Sequence, residues 1–337
     1  MNSFERVMAT LEGREHDRTP VSMMTMAWAA HHIHKSYREY TLDPEITVAA
    51  HLALVRDFGM DTVTVQTDPW CEAEAYGMSF TYPEEGVGIP DRHLLTDDFA
   101  PGDLPLFDPA AHVRTRNRLR ALAKFADEVK GRVPIIGWVE GPIAEFADLR
   151  GLENACIDLM EDPENVRMAL RRITDNAIRF ALAQLEAGAD IIGIGDAAAS
   201  VIGPELYAEH VRPFQEELFD RIRSAGGKTK VHICGNITPL LPHFKGLAID
   251  ILDLDWMVSL SGTREILGGD ITLCGNVNPV TEQLQCGVEA AKAAAARCMA
   301  EGGERFMLQG GCETPPGTPP ENIRAAMDQA AAMRRKS

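Results

Sequence analysis

The chain has 337 residues, 45% of them hydrophobic and 25% charged, which are ordinary proportions for a folded globular protein and enough for a core of full size. Asp and Glu outnumber Lys and Arg by 50 to 33, and the resulting formal charge of −17 offers no overall attraction to nucleic acid or to an anionic membrane surface. The seven cysteines lack the density and spacing of a disulfide framework, no stretch reaches the roughly 18 apolar residues of a membrane span, and the N-terminus has no basic start followed by an apolar run, so a cytoplasmic protein with reduced thiols is expected.

The first β-prone run covers 21–26. Residues 27–50 then have helical composition and carry His31, His32 and His34. Neighbours at i, i+1 and i+3 on a helix do not converge on one ion, so these histidines are assigned packing and surface roles. A second run at 62–67 leads into 68–112, whose many Pro and Asp residues predict a long excursion with a hairpin of its own. Arg114, Arg116, Arg118 and Arg120 lie in helical sequence and read as a solvated face, the alternative being a docking patch for a phosphate or an acidic partner. Further runs occur at 133–139, 190–195, 229–233, 249–254, 271–274 and 305–308. They alternate with helical stretches at 153–186 (broken near Pro163), 205–224, 280–300 and 320–334.

Strands separated by helices of this length need parallel crossovers, and eight such units close most simply into an α/β (β/α)8 TIM barrel. The expectation is a single domain over 1–337, with a helical insert after strand one and a long excursion after strand two. A doubly wound open sheet is the alternative, but no Gly-x-Gly-x-x-Gly comes after an early strand.

In a barrel the chemistry is built from residues at and just past the C-terminal ends of the strands. His232 and Cys234 close the run Lys230-Val-His-Ile-Cys234, two positions apart and therefore on one face. Cys312 comes directly after the last run. One imidazole and two thiols suit zinc, and three protein ligands leave a fourth position open. Buried core thiols are the bland alternative, and Cys274 is a rival third ligand. Glu140 and Asp196 end strands beside small residues and are catalytic candidates, either completing a metal shell or holding a substrate, unless they are solvated or cap helices. Trp138, Asp255 and Asn276 are candidate substrate contacts.

These residues resemble the uroporphyrinogen decarboxylase superfamily, and within it the zinc-dependent corrinoid methyltransferase branch. The resemblance starts at Glu5-Arg-Val-Met-Ala-Thr-Leu-Glu-Gly-Arg and runs through Gly188-Ala-Asp-Ile-Ile-Gly-Ile-Gly-Asp196, Val231-His-Ile-Cys-Gly-Asn236 and Gly311-Cys-Glu-Thr-Pro-Pro. It implies a (β/α)8 barrel with zinc on His232, Cys234 and Cys312, and with Glu140 as a further ligand. It also implies a corrinoid such as methylcobalamin, carried by a small corrinoid protein, and an acceptor such as a coenzyme M-like thiol, homocysteine or a folate. The same parts could demethylate a methyl ether or methylamine. A true decarboxylase of this family grips its porphyrinogen with an arginine-bearing segment, whereas Val21-Ser-Met-Met-Thr-Met-Ala-Trp28 has no Arg. A non-catalytic metal- or cobamide-binding protein remains the other class, and alanine-rich outer helices leave a homodimer open.

Overall fold

The computed structural model describes residues 1–96, 99–100, 102 and 104–332. Seven strands form one all-parallel sheet: β1 (Val63–Thr64), β4 (Ile135–Glu140), β5 (Ile191–Gly195), β6 (Lys228–His232), β7 (Ile251–Leu254), β8 (Thr272–Val277) and β9 (Phe306–Gly310), in that spatial order. A two-stranded antiparallel hairpin, β2 (Phe80–Thr81) with β3 (Ile89–Pro90), lies in the excursion after β1. β4, β5, β7, β8 and β9 are buried along their whole length, as strands covered on both faces must be.

The run at 21–26 does not form a strand of its own, which corrects the expectation there. Only Val21 bridges to Leu308. Leu308 N–H donates to Pro20 O (2.8 Å), Ser22 N–H to Leu308 O (2.9 Å) and Asp61 N–H to Val21 O (2.9 Å), so this short stave closes the barrel between β9 and β1. Beyond Ser22 the chain leaves the ladder, because Met24 O accepts from Thr314 N–H and a helix starts at Met26. The stave is tied down by buried Asp61, which accepts from Val21 N–H (2.8 Å), Arg6 Nη1 (2.7 Å) and Arg18 Nη1 (2.6 Å).

The first helix, Ser3–Leu11, starts at a capping box in which Asn2 and Glu5 exchange hydrogen bonds. Its Val7 and Leu11 plug one end of the barrel against Ile136, Ile191, Ile251, Cys274 and Met307. Cys274 is thereby placed in the floor of the barrel and fully buried. The insert after strand one is helical (Met26–His32 and Tyr37–Leu42), and the predicted break appears between Leu152–Glu161 and Pro163–Glu186. No helix among the described residues is long and apolar enough to cross a membrane.

The arginine reading needs correction. On the helix Val113–Val129, Arg114 and Arg118 are 4% exposed. Arg114 pairs with Asp68 and Glu74, and Arg118 with Glu72 (3.2 Å). The excursion supplies the three carboxylates, so a solvated face or docking patch is left with Arg116 and Arg120 alone.

Candidate metal centre and adjoining cavity

β6 alternates, so Lys230 and His232 share one side, and by the same alternation Asp253 on β7 and Gln309 on β9 face them inside the barrel. His232 ends its strand, Cys234 lies two residues on, and Cys312 stands just past β9 after Gly311. A Cβ at Gly311 would lie 2.4 Å from Trp256 N, so only glycine lets the end of β9 pass close to the end of β7. The result is convergence. His232 Nε2 lies 3.1 Å from Cys234 Sγ and 4.0 Å from Cys312 Sγ, and the two sulfurs are 3.5 Å apart. Among the described residues no other three His, Cys, Asp or Glu side chains bring ligand atoms this close together.

The three side chains shift one another's protonation. The Cys234 thiol and the His232 ring, against the effect of burial, lower the Cys312 thiol to about 4, while Cys312 pushes Cys234 well up. Burial opposes a charge on His232, yet Asp253 and Cys312 raise the ring to about 9. Asp253 Oδ2 is a hub: it pairs with buried Lys230, accepts from Gln309 Nε2 (3.1 Å) and lies 3.4 Å from His232 Nδ1. This turns Nε2 of the ring towards the sulfurs.

A cavity of ≈430 Å³ has Glu140, Asp148, Trp70 and His93 among its walls and none of the trio. Glu140 belongs to both places, since it faces this cavity and its charge raises the Cys234 thiol. Its carboxylate accepts from Trp138 Nε1 (2.9 Å). Trp138 can lie there because β5 offers Gly193, where a Cβ would sit 2.3 Å from Cε3 of the indole, and Gly195. Burial first, then Glu72 and Asp148, raise the Glu140 carboxyl well above its usual range. A larger groove of ≈840 Å³ runs between Arg38–Ile46 and Asn117–Lys124 on the outer helices, with none of the trio in its walls.

The remaining candidates have other partners. Asp196 is fully buried and accepts from Ala144 N–H (2.7 Å) and Gln215 Nε2 (2.6 Å), which caps the helix Pro142–Arg150 whose own N-cap is Gly141. Asp255 accepts from Gly235 N–H and Trp256 N–H, both at 2.7 Å, beside Cys234. Asn276 Nδ2 donates to Val258 O (2.7 Å) and holds the turn after β7. His31 pairs with Glu85, and His32 pairs with Asp57 while stacking on Trp28. Sequence reasoning gave no role to Lys230, Asp253, Glu72, Glu145 or Asp148. Lys230 and Asp253 did carry a signal, since a charge inside an apolar strand is seldom buried without a partner.

The profile of the uroporphyrinogen decarboxylase (URO-D) family matches residues 2–333. The methylcobamide:CoM methyltransferase MtaA of Methanosarcina barkeri is 28% identical over 334 residues, 95% of each chain. A uroporphyrinogen decarboxylase of Carboxydothermus hydrogenoformans is 28% identical over 252 residues, 73% of this chain and 71% of its own. A solved structure described as a methyltransferase from Methanosarcina mazei superposes with a TM-score of 0.89 at 24% identity, covering 98% of this chain and 99% of that one, and speaks for the shared fold.

Proposed function

This chain belongs to the uroporphyrinogen decarboxylase (URO-D) family, and within that family we propose that it is a zinc-dependent methyltransferase. It would move a methyl group between a corrinoid, presented by a small corrinoid protein, and a small acceptor held at the barrel mouth. The observation that carries this reading is the meeting of one imidazole nitrogen and two thiols in a chain that resembles a methylcobamide-dependent enzyme over 95% of its length.

The donor set fits the ion. Bond lengths of about 2.3 Å to sulfur and 2.0–2.1 Å to nitrogen put tetrahedral ligand atoms roughly 3.4–3.8 Å apart. The observed separations of 3.1, 3.5 and 4.0 Å bracket that range. When bound, zinc supplies the positive charge that deprotonates an acceptor thiol at neutral pH. Asp253 holds the His232 ring in register, Gly311 admits Cys312, and Glu140 and Asp255 flank Cys234. Trp138 orients Glu140, while Asp196 and Asn276 support the helix and the turn on which the mouth is built.

For a thiol acceptor of the coenzyme M type, the cobalt–carbon bond breaks with its electron pair left on cobalt. A carbon–sulfur bond forms and the thiol proton goes to solvent. A folate acceptor, or the reverse demethylation of a methyl ether or methylamine, would use the same side chains.

The test uses free methylcobalamin with a panel of thiols and folates, monitored by loss of the cobalt–carbon absorbance. Cys312→Ala and His232→Ala are expected to lose both bound zinc and turnover, and full activity in zinc-depleted mutants would overturn the reading. Uroporphyrinogen should not be consumed, and appearance of coproporphyrinogen would restore decarboxylation. X-ray absorption of the zinc-loaded chain should show a sulfur joining the metal when a thiol is added; a shell closed by protein alone would mean a non-catalytic site.

A further inference from the structure

Directly below the trio the barrel holds charge, where such a fold is ordinarily filled by branched apolar side chains. Lys230 and Asp253 are buried there as a pair, and Gln309, also buried, reaches the same place from β9. A buried ion pair is seldom a net gain over apolar packing of the same volume, so stability alone does not account for it. Its position says more. Lys230 stands two residues before His232 on β6, Asp253 is in register with His232 on the neighbouring β7, and Gln309 lies on the strand that leads to Cys312.

The donors around Asp253 are shared unevenly. A carboxylate can accept about two hydrogen bonds on each oxygen. Oδ2 accepts from Lys230 Nζ and from Gln309 Nε2 (3.1 Å) and lies 3.4 Å from His232 Nδ1, whereas the buried Oδ1 has no partner among the described residues. Spreading the donors over both oxygens would solvate the carboxylate better, because an unsatisfied buried acceptor costs stability. Gathering them on Oδ2 instead pins one atom, and that atom is the one facing the imidazole. Gln309 fits in one orientation, with Oε1 towards the Lys230 ammonium (3.4 Å) and Nε2 towards the carboxylate.

We propose that Lys230 and Gln309 are positioning residues for the metal: by pinning Asp253 Oδ2 they set the tilt of the His232 ring, and with it the aim of Nε2 at the two sulfurs. This rests on the zinc reading and extends it one layer down the barrel. Lys230 also supplies the counter-charge of Asp253, so the ring has an acceptor at Nδ1 without a net negative charge lying beneath two thiols. Because Gln309 belongs to β9, its contact with Asp253 ties the strand that leads to Cys312 to the strand pair that carries the imidazole.

Two variants test it. Gln309→Leu is uncharged and close in volume. Lys230→Met alone would strand Asp253 without a counter-charge and risk the fold, so it is combined with Asp253→Asn. Zinc affinity is read by competition with a chromophoric chelator, and X-ray absorption of the zinc-loaded chain reports how firmly the imidazole is held. Loss of a group behind a metal ligand lowers affinity about 10- to 100-fold. Both variants are expected in that range, with the imidazole scattering weakened and the sulfur scattering kept. Parent-like affinity in Gln309→Leu would overturn the proposal. So would a loss of affinity that leaves the imidazole scattering at full strength, or that weakens the sulfur scattering equally, since either marks a general disturbance of the barrel. A parent chain that binds no zinc removes this inference and the zinc reading together. Zinc bound in the expected pattern without methyl transfer from methylcobalamin would overturn the proposed reaction and leave the positioning role standing.

Discussion

Single side chains set the shape of the site, and Gly193 is the clearest case. The Trp138 indole lies where a Cβ on Gly193 would be, and the same indole holds Glu140. Gly193→Ala must displace the ring, which is expected to cost ~1–3 kcal/mol in urea unfolding and to release Glu140 from its donor. His51 offers a different test. It is buried on the helix Pro44–Phe58 against Tyr40 O–H (2.9 Å), and burial lowers its ring to about 4. The unfolded chain binds this proton first as pH falls below about 6.5, so the folded state loses stability from there down to about 4, by up to roughly 3 kcal/mol. Unfolding curves of His51→Gln should show a shallower acid limb than the parent over that window; an equal slope would assign the loss to other groups. His232, Cys234 and Cys312 could be picked out of the sequence because each stands at the end of an apolar strand run. Glu145 and Asp148 could not, since what distinguishes them is the lack of a partner for buried carboxylate oxygens, and partners are set by the fold.

Elements explain where local reading stopped. Four arginines at every second position look like one basic tract, but helical geometry splits them into Arg114 with Arg118 on one face and Arg116 with Arg120 on the opposite one. The first pair is buried against carboxylates some 40 to 50 positions earlier in the chain. Arg114→Ala leaves Asp68 buried without its charge partner and is expected to cost about 3–5 kcal/mol, measured by chemical denaturation. Arg116→Ala, on the exposed side, should fall within about 0.5 kcal/mol of the parent. Strands β4, β5 and β7 to β9 were legible as apolar runs bounded by turn residues, and β6 through the apolar positions Val231 and Ile233 at its end. The stave at Val21 was legible in place but not in length, because its hydrogen bonds are divided between Leu308, Asp61 and Thr314, none of them near it in sequence.

At the scale of the whole molecule, the trio joins β6 to the end of β9, three strands round the sheet, and β9 is also the edge against which the short Val21 stave closes. A cation bound by His232, Cys234 and Cys312 therefore stabilises the folded barrel by mass action, about 2.7 kcal/mol at a free concentration one hundred times Kd. Chelation of zinc should lower the thermal midpoint of the parent chain, whereas Cys312→Ala should melt at the same temperature with and without chelator. The single bridge at Val21 gives this coupling a direction. Because the ring is fastened there by one ladder contact and the Asp61 knot, it is a slender join in the wall, and a clasp from β6 to the end of β9 holds together the strands on one side of it. If the zinc reading proposed above is right, losing the ion would loosen those strands before any chemistry is attempted, and a cell starved of metal would hold a softer protein as well as an idle one.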